Sequence, residues 1–276
     1  MKLDLSAAWD GAMTMIRANR EVVTVLAGVF FFLPNLAFSL FLPDAGLAEA
    51  SAAQSDWEAM AAVIQDFYAQ YWWALLLLAL IQMIGAIASL AVLGDGGRPT
   101  VGDALRRGLS LLPTLLGAQI VAALAIFAPI VLASGIGAAT GSAGVIGLLT
   151  LISLPVMIYI MVKFSLSSPV VAVDQIRNPL AALAHSWRMT KGNSFRLFFF
   201  FLLLIVAFVV VSTVLNLIIG LVLALLGEAL QLIGLAIAGA LINAIFSVVA
   251  YAVLASVHQR LAGHASVSVP VAGKED

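Results

Sequence analysis

Residues 197–226 read LFFFFLLLIVAFVVVSTVLNLIIGLVLALL and contain no charged side chain. About 20 consecutive apolar residues cross the hydrocarbon core of a bilayer as a helix, so this stretch predicts a membrane span. The whole chain is 63% hydrophobic and 10% charged, whereas soluble domains are about half apolar and about a quarter charged. We therefore predict an all-α integral membrane protein with about six transmembrane helices, at about residues 22–42, 71–93, 115–133, 145–162, 197–226 and 232–257.

The first apolar run has a rival interpretation as a secretory signal peptide, because small residues at about 48–52 resemble a cleavage site. A secretory leader begins with a short basic segment. Here about twenty residues precede the run, and they include Asp4, Asp10 and Glu21. We therefore expect the run to be a retained span.

The distribution of positive charge predicts the orientation. All 13 Lys and Arg residues lie before span 1, between spans 2 and 3, between spans 4 and 5, or after span 6. Six spans place these segments on one side of the membrane, and the other side then carries only acidic charges. Because cytoplasmic segments carry the excess of Lys and Arg, we predict a multi-pass protein of the bacterial inner (plasma) membrane with both termini cytoplasmic.

The cytoplasmic segment before each odd-numbered span carries the i, i+3, i+4, i+7 apolar spacing of a helix face. This pattern predicts three repeats of an interfacial amphipathic helix followed by a helical hairpin. The units are about 1–94, 95–164 and 165–262 of a single transmembrane domain, 1–262, and residues 263–276 form a flexible cytoplasmic tail. The three faces are Leu5, Ala8, Trp9 and Ala12; Val101, Ala104, Leu105 and Gly108; and Leu180, Leu183, Ala184 and Trp187.

Capping residues support two of these helices. Thr100 and Asp103 have the spacing of a capping box. Asn178 is a suitable N-cap with Pro179 at the first helical position, and Gly192 is a suitable stop.

The basic residues of these segments have two interpretations. Basic amphipathic helices commonly lie in the headgroup layer without a specific ligand. Clusters of Lys and Arg also bind anionic lipid at defined sites, and the candidate anionic-lipid contacts here are Arg106, Arg107, Arg188 and Lys191.

Residues 51–70, on the opposite side, predict a further amphipathic helix that begins at a capping box of Ser55 and Glu58. Such a helix lies on the outer membrane surface or across the bundle, or serves as a lid or a docking surface. The sequence leaves these three roles open. The candidate outer partner surface is Trp57, Met60, Ile64 and Phe67.

The spans offer little to catalysis, which requires convergent titratable or nucleophilic groups. Lys163 lies at the end of span 4, where its ammonium is expected to snorkel to the surface. The histidines His185, His258 and His264 lie at or beyond the cytoplasmic interface, and no pair of them has metal-ligand spacing with carboxylate support. We predict no catalytic residue, metal or cofactor, and no nucleic-acid binding, because the basic residues are sparse.

Polar side chains within the predicted spans favour packing rather than ligand binding. Hydrogen bonds between helices are a common use of amides in membranes, at about 1 kcal/mol each. The candidate interhelical polar contacts are Gln82, Gln119, Asn216 and Asn243, together with Asn35.

Residues 179–192, PLAALAHSWRMTKG, follow SPVV at 168–171 and Asp174. This region resembles a bacterial multispanning family that includes the membrane domain attached to some glycerophosphodiester phosphodiesterases, whose members often show an AAL…S…T.G segment before a late span. Arg17-Ala18-Asn19-Arg20 and the FFFLP run at 30–34 are similar to stand-alone members, so the resemblance extends over most of the chain. It implies a stand-alone membrane domain without phosphodiesterase activity, because no segment is long or polar enough for the soluble catalytic barrel.

Two functions are consistent with this sequence. The first is a non-enzymatic scaffold or auxiliary subunit in envelope or lipid homeostasis that contacts anionic lipid. The alternative is a transporter or permease for a lipid or a small apolar solute, because repeated hairpins build a central path in many transporters. The expected partners are membrane lipids and another membrane protein or a second copy of the chain.

Overall fold

The computed structural model describes residues 4–42, 57–94, 100–225 and 227–267. It is 92% helix and has no strand within these ranges. The helices are α1 Leu5–Ala18, α2 Arg20–Ala27, a π-helical turn Gly28–Phe32, α3 Leu33–Phe41, α4 Trp57–Gly94, α5 Val101–Thr140, α6 Ala143–Phe164, α7 Ser167–Ala172, α8 Pro179–Met189, α9 Ser194–Ala224 and α10 Glu228–Val267.

Six helical segments are long and apolar enough to cross a membrane, which confirms the predicted class. Spans 1 to 6 are Arg20–Phe41, Ala59–Gly94, Val101–Thr140, Ala143–Ala172, Ser194–Ala224 and Leu230–Gly263. Of the predicted tail, residues 263–267 belong to α10, and residues 268–276 lie outside the described ranges.

The repeat organisation is not confirmed. The helix expected before span 3 is the first part of α5, a single helix of 40 residues. By contrast, α8 is a separate helix of 11 residues that ends before the turn leading to α9. The units therefore differ in how their short helix joins the span.

The predicted outer helix is also continuous with a span. Residues 57–70 form the beginning of α4, which has 38 residues and, at 1.5 Å per residue, a length of about 57 Å. No Gly or Pro separates the amphipathic part from the apolar part, so nothing in the sequence ends the helix at Gln70. Ser55 and the rest of 51–56 lie outside the described ranges.

The predicted caps are present. Thr100 and Asp103 form a capping box at the start of α5. The Asn178 side chain accepts hydrogen bonds from the Leu180 and Ala181 amides, at 2.9 and 3.2 Å. Gly192, in the turn after α8, has a φ of +83°, a conformation that favours glycine.

Helix α1 packs directly on the end of α10. Ala8 and Ala12 are fully buried in this contact. A Cβ atom on Gly11 would lie 2.6 Å from the Ser256 hydroxyl oxygen, and Arg260 Nη2 donates to the Ala7 carbonyl at 2.6 Å. The short first helix is therefore part of the packed protein.

The large packed core lies at one end of the bundle, which we call the basic end. Here α1, the end of α4, the start of α5, residues 162–197 and the end of α10 meet, and their buried side chains form one cluster. Every Lys and Arg within the described ranges lies toward this end. In the opposite half, many apolar side chains of the spans point outward, among them Leu77, Leu124, Leu151, Leu217 and Leu241.

Candidate functional site: a cationic and aromatic interface at the basic end

Lys163, in the last turn of α6, is held between aromatic rings. Its ammonium nitrogen lies 5.4 Å from the centre of the Tyr159 ring and 5.5 Å from that of Trp187. Trp187 packs edge-on against Tyr159 at 5.8 Å and tilted against Phe164 at 5.6 Å. Lys163 does not extend freely into the surroundings as a snorkelling side chain would, because α8 packs over the end of α6 and leaves the residue only 2% exposed.

The position of α8 follows from local chemistry. Asn178 caps its first turn, and a Cβ atom on Gly117 would lie 3.0 Å from the Pro179 ring, so α8 begins in close contact with α5. Ser186 donates to the Lys163 carbonyl at 2.8 Å, and both residues are buried. This hydrogen bond joins α8 to the end of α6 and places Trp187 over Lys163.

The Lys163 ammonium has no carboxylate within ion-pair distance in the described part of the chain, where Asp174 lies beside two histidines instead. A cation over an aromatic ring is stabilised by up to about 2 kcal/mol. Removal of an ion from water costs several kcal/mol even after relaxation. The rings offset only part of this cost, and they leave the N–H donors of the ammonium without strong acceptors.

Asp174, just after α7, meets two histidines from different elements. Its Oδ2 atom lies 2.9 Å from His258 Nε2 on α10 and 3.7 Å from His185 Nε2 on α8. His258 is 2% exposed, and its Nδ1 atom is buried without a hydrogen-bond partner. The next residue, Gln175, has a φ of +54°, which is uncommon outside glycine.

Histidine pairs were considered in the sequence analysis only as metal ligands, and the contact of Asp174 with His185 and His258 was not predicted. Asp174 and His258 are 84 positions apart, and only the packing of α7 against α10 brings them together. The sequence feature that could have suggested a contact is that Asp174 and His185 lie in the same short basic segment. The contact between Asp174 and His258 joins the connection after α7 to span 6. The described residues contain no group of three or more His, Asp or Glu arranged to hold a metal ion.

Ser186 and His185 do not act on each other in this arrangement. The Ser186 hydroxyl donates to the Lys163 carbonyl, whereas His185 faces Asp174. His264 lies on α10, and its side chain is outside the described part of the structure.

The four predicted lipid contacts lie on two elements at the basic end. Arg106 is exposed and Arg107 half-buried in the first turns of α5. Arg188, in the last turn of α8, and Lys191, just after it, are both exposed. Lys191 follows Trp187, whose ring packs over Lys163, by four positions, so its positive charge acts on the Lys163 ammonium.

The predicted interhelical amides differ in their contacts. Asn35 Nδ2 donates to Asn243 Oδ1 at 3.2 Å, between spans 1 and 6. Gln119 Nε2 lies 3.5 Å from the Ser168 hydroxyl on α7. Asn216 instead donates to the Ser212 carbonyl of its own helix at 2.8 Å. Gln82 is half-buried on α4.

The predicted outer surface lies on the first turns of α4. Ile64 is exposed, and Met60 is half-buried. The Phe67 ring contacts Tyr68 and Tyr71 of the same helix, at 5.9 and 5.2 Å between ring centres. The side chain of Trp57 lies outside what the structure describes.

An apolar groove lies between α1 and α9. Its volume is about 410 Å³, and its wall is formed by α1 on one side and by α9 on the other. Trp9 and Leu203, which line it, are also exposed. The groove therefore opens sideways, toward the region that lipid occupies around a membrane protein. The lining residues are Leu5, Ser6, Trp9, Asp10, Phe200, Leu203, Leu204 and Ala207.

Comparison with known proteins identifies a family that is similar to part of the chain. No curated protein and no solved structure matches the chain. The family model described as the membrane domain of glycerophosphoryl diester phosphodiesterase matches residues 139–270. This range contains α6 to α10, with Lys163, Asp174 and Trp187, and it is shorter than the expected similarity over most of the chain. From its fourth span onward, the chain is thus similar to the membrane domain of glycerophosphoryl diester phosphodiesterases, as the segment at 179–192 predicts.

Proposed function

We propose that this chain is a non-enzymatic scaffold or auxiliary subunit of the bacterial inner membrane that contacts anionic lipid and supports envelope or lipid homeostasis. One observation carries the proposal. The packed core and the positive charges of the described residues coincide at the basic end, where short helices are built into the protein.

The proposal is supported by the electrostatic attraction between a basic protein surface and an anionic membrane. Each Lys or Arg near an anionic leaflet contributes about 1 kcal/mol of attraction. A packed end fixes the helices that carry these cations, so lipid binding costs less backbone entropy than it would for a flexible basic segment. The positive-inside tendency places the basic end at the cytoplasmic leaflet.

Purification of the full chain in native-lipid discs tests the proposal. Mass spectrometry of the extracted lipids is expected to show anionic lipid enriched over the surrounding membrane, and a pull-down from the same discs is expected to recover a reproducible membrane partner. If neither a lipid nor a partner is enriched, the proposal fails.

The orientation has a separate test. The chain contains no Cys, so single reporter cysteines are unambiguous. A cysteine at Arg188 is expected to be shielded from an impermeant thiol reagent in intact inner-membrane vesicles of native orientation, and one at Asp66 to react. The opposite pattern would invert the proposed topology.

The sideways groove between α1 and α9 favours the alternative, a transporter or permease for a lipid or a small apolar solute. Its open wall would admit an acyl chain from the bilayer. Purified protein in vesicles that contain a fluorescent lipid would then move that lipid between leaflets faster than protein-free vesicles do. Equal rates would count against this alternative.

A further inference from the structure

We infer that Lys163, with Lys191, binds the phosphate of an anionic phospholipid at the membrane interface. This inference rests on the proposed function and deepens it by assigning the lipid contact to one site. It keeps Lys191 from the predicted contacts and centres the site on Lys163, which was not among them.

The first step is the state of the Lys163 ammonium. Its side chain is packed between Tyr159 and Trp187. Buried polar side-chain atoms without a hydrogen-bond partner, within the described ranges, include Ser89 Oγ and His258 Nδ1. Lys163 Nζ is not one of them, although no hydrogen bond to it is seen there. The small exposed part of Lys163 therefore includes its ammonium nitrogen, which an outside acceptor can approach at the edge of α8.

The second step is charge. Lys191 adds a second positive charge near the first, and the described chain supplies no carboxylate in ion-pair contact with Lys163. A largely buried ammonium that has no protein anion destabilises the folded state, and an external anion that binds it offsets this cost. An ammonium has three N–H donors, and a phosphate oxygen is a strong, charged acceptor for them.

The third step is depth in the membrane. Tyr and Trp rings concentrate at the level of the lipid headgroups, and both Tyr159 and Trp187 are partly exposed beside the ammonium. Ile152, Val156 and Tyr159 are exposed and lie near the face of α6 that carries Lys163, at the spacing of successive helical turns. They form an apolar stripe that runs from Lys163 into the bilayer. A bound phosphate at Lys163 thus has a path for acyl chains directly below it.

Native mass spectrometry of the purified full chain tests the inference, with phosphatidylglycerol, phosphatidylcholine and inorganic phosphate added in separate titrations. Wild-type protein is expected to retain phosphatidylglycerol about fivefold more strongly than phosphatidylcholine. Lys163→Met keeps an apolar stem and removes the charge, and it is expected to weaken phosphatidylglycerol binding about tenfold. Lys191→Gln is expected to weaken it about threefold.

The matched control is Arg17→Gln, which removes an exposed cation from α1, also at the basic end. Its expected effect is less than about twofold. Equal losses for Lys163→Met and Arg17→Gln would overturn the site and leave a diffuse basic surface. If Lys163→Met does not fold, Lys191→Gln decides, because Lys191 is exposed and its loss leaves the packing unchanged.

Two further outcomes separate the sources of phosphate and the two proposals. Binding of inorganic phosphate that depends on Lys163, without selective retention of phosphatidylglycerol, would overturn the lipid assignment. Enriched anionic lipid in native discs together with no Lys163 effect would overturn this inference and leave the proposed function standing.

Discussion

Leu90 and Leu77 lie on the same helix, α4, yet their surroundings are opposite. Leu90, at the basic end, is 0% exposed, whereas Leu77, in the other half, is 54% exposed. Leu90 is surrounded by protein, whereas Leu77 lies on the outer surface of the bundle, which faces lipid in a membrane. The difference teaches that the apolar character of a span says nothing about whether a given side chain is held by protein or by bilayer.

The largest expected effect comes from truncating these two leucines. Lipid is as apolar as leucine, so burial against protein stabilises mainly through packing. Leu90→Ala leaves a cavity and is expected to cost about 2–4 kcal/mol in free energy of unfolding, whereas Leu77→Ala is expected to change it by less than about 0.5 kcal/mol. Unfolding in mixed detergent micelles measures both, and equal costs would refute a core confined to the basic end.

Two glycines extend the comparison between the packed basic end and the opposite half to contacts between helix backbones. A Cβ atom on Gly108 would lie 2.9 Å from the Ile84 carbonyl oxygen, whereas one on Gly147 meets nothing within 4 Å. Gly108→Ala is expected to cost about 1–3 kcal/mol, because α4 and α5 must separate. Gly147→Ala is expected to be neutral or to stabilise by about 0.5–1 kcal/mol, because alanine favours helix. The same unfolding measurement distinguishes them, and a neutral Gly108→Ala would contradict the close contact.

Polar contacts in the two regions offer a third comparison. Asp174→Ala removes the acceptor of a histidine that is almost fully buried, and it is expected to cost about 1–2 kcal/mol in stability. Asn243→Ala removes the partner of Asn35 between spans, for which about 0.6 kcal/mol is typical. If Asn243→Ala lost more stability than Asp174→Ala, the polar contact between the spans would be stronger than the one at the basic end, contrary to this expectation.

The smallest effect concerns the caps of α1 and α6. The Ala7 amide and then the Ser6 hydroxyl donate to the Asp4 carboxylate and hold its pKa below 3.8. A lowered pKa means that the charged cap stabilises α1 above the unfolded pKa, and that this stabilisation is lost as the pH falls through the folded pKa. Asp4→Ala is therefore expected to speed amide exchange in α1 at pH 7, and the difference from wild type is expected to shrink as the pH falls through the folded pKa of Asp4.

Ser142 is the matched control, since it precedes α6 in the opposite half and its side chain makes no capping hydrogen bond. Ser142→Ala is expected to leave exchange in α6 unchanged over the same pH range. An effect of Ser142→Ala as large as that of Asp4→Ala would show that the cap bonds do not distinguish the two ends.

The sequence predicted the elements of this fold better than their continuity. The number of spans follows from apolar length, and the caps at Thr100 and Asn178 follow from side chains that reach their own backbone. Whether an amphipathic helix stops before a span depends on a breaker. Gly192 separates α8 from α9, whereas nothing separates residues 57–70 from the rest of α4.

The contacts within the candidate site could not be predicted from the sequence. Lys163 and Trp187 are 24 positions apart along the chain, and no sequence pattern around either residue predicts their contact. Their contact depends on the Ser186 hydrogen bond and on the docking of α8. Asp174 meets His258 only because span 6 returns to the basic end.

By itself, the amino-acid sequence determined a chain of six apolar helices with its positive charge at alternate connections, because hydrophobic length and charge are properties of the local chain. The tertiary structure decided which end of the bundle is packed, that Lys163 is covered and not free, and that Asp174 has two histidines beside it. These depend on contacts between residues far apart in sequence, which helix periodicity does not encode.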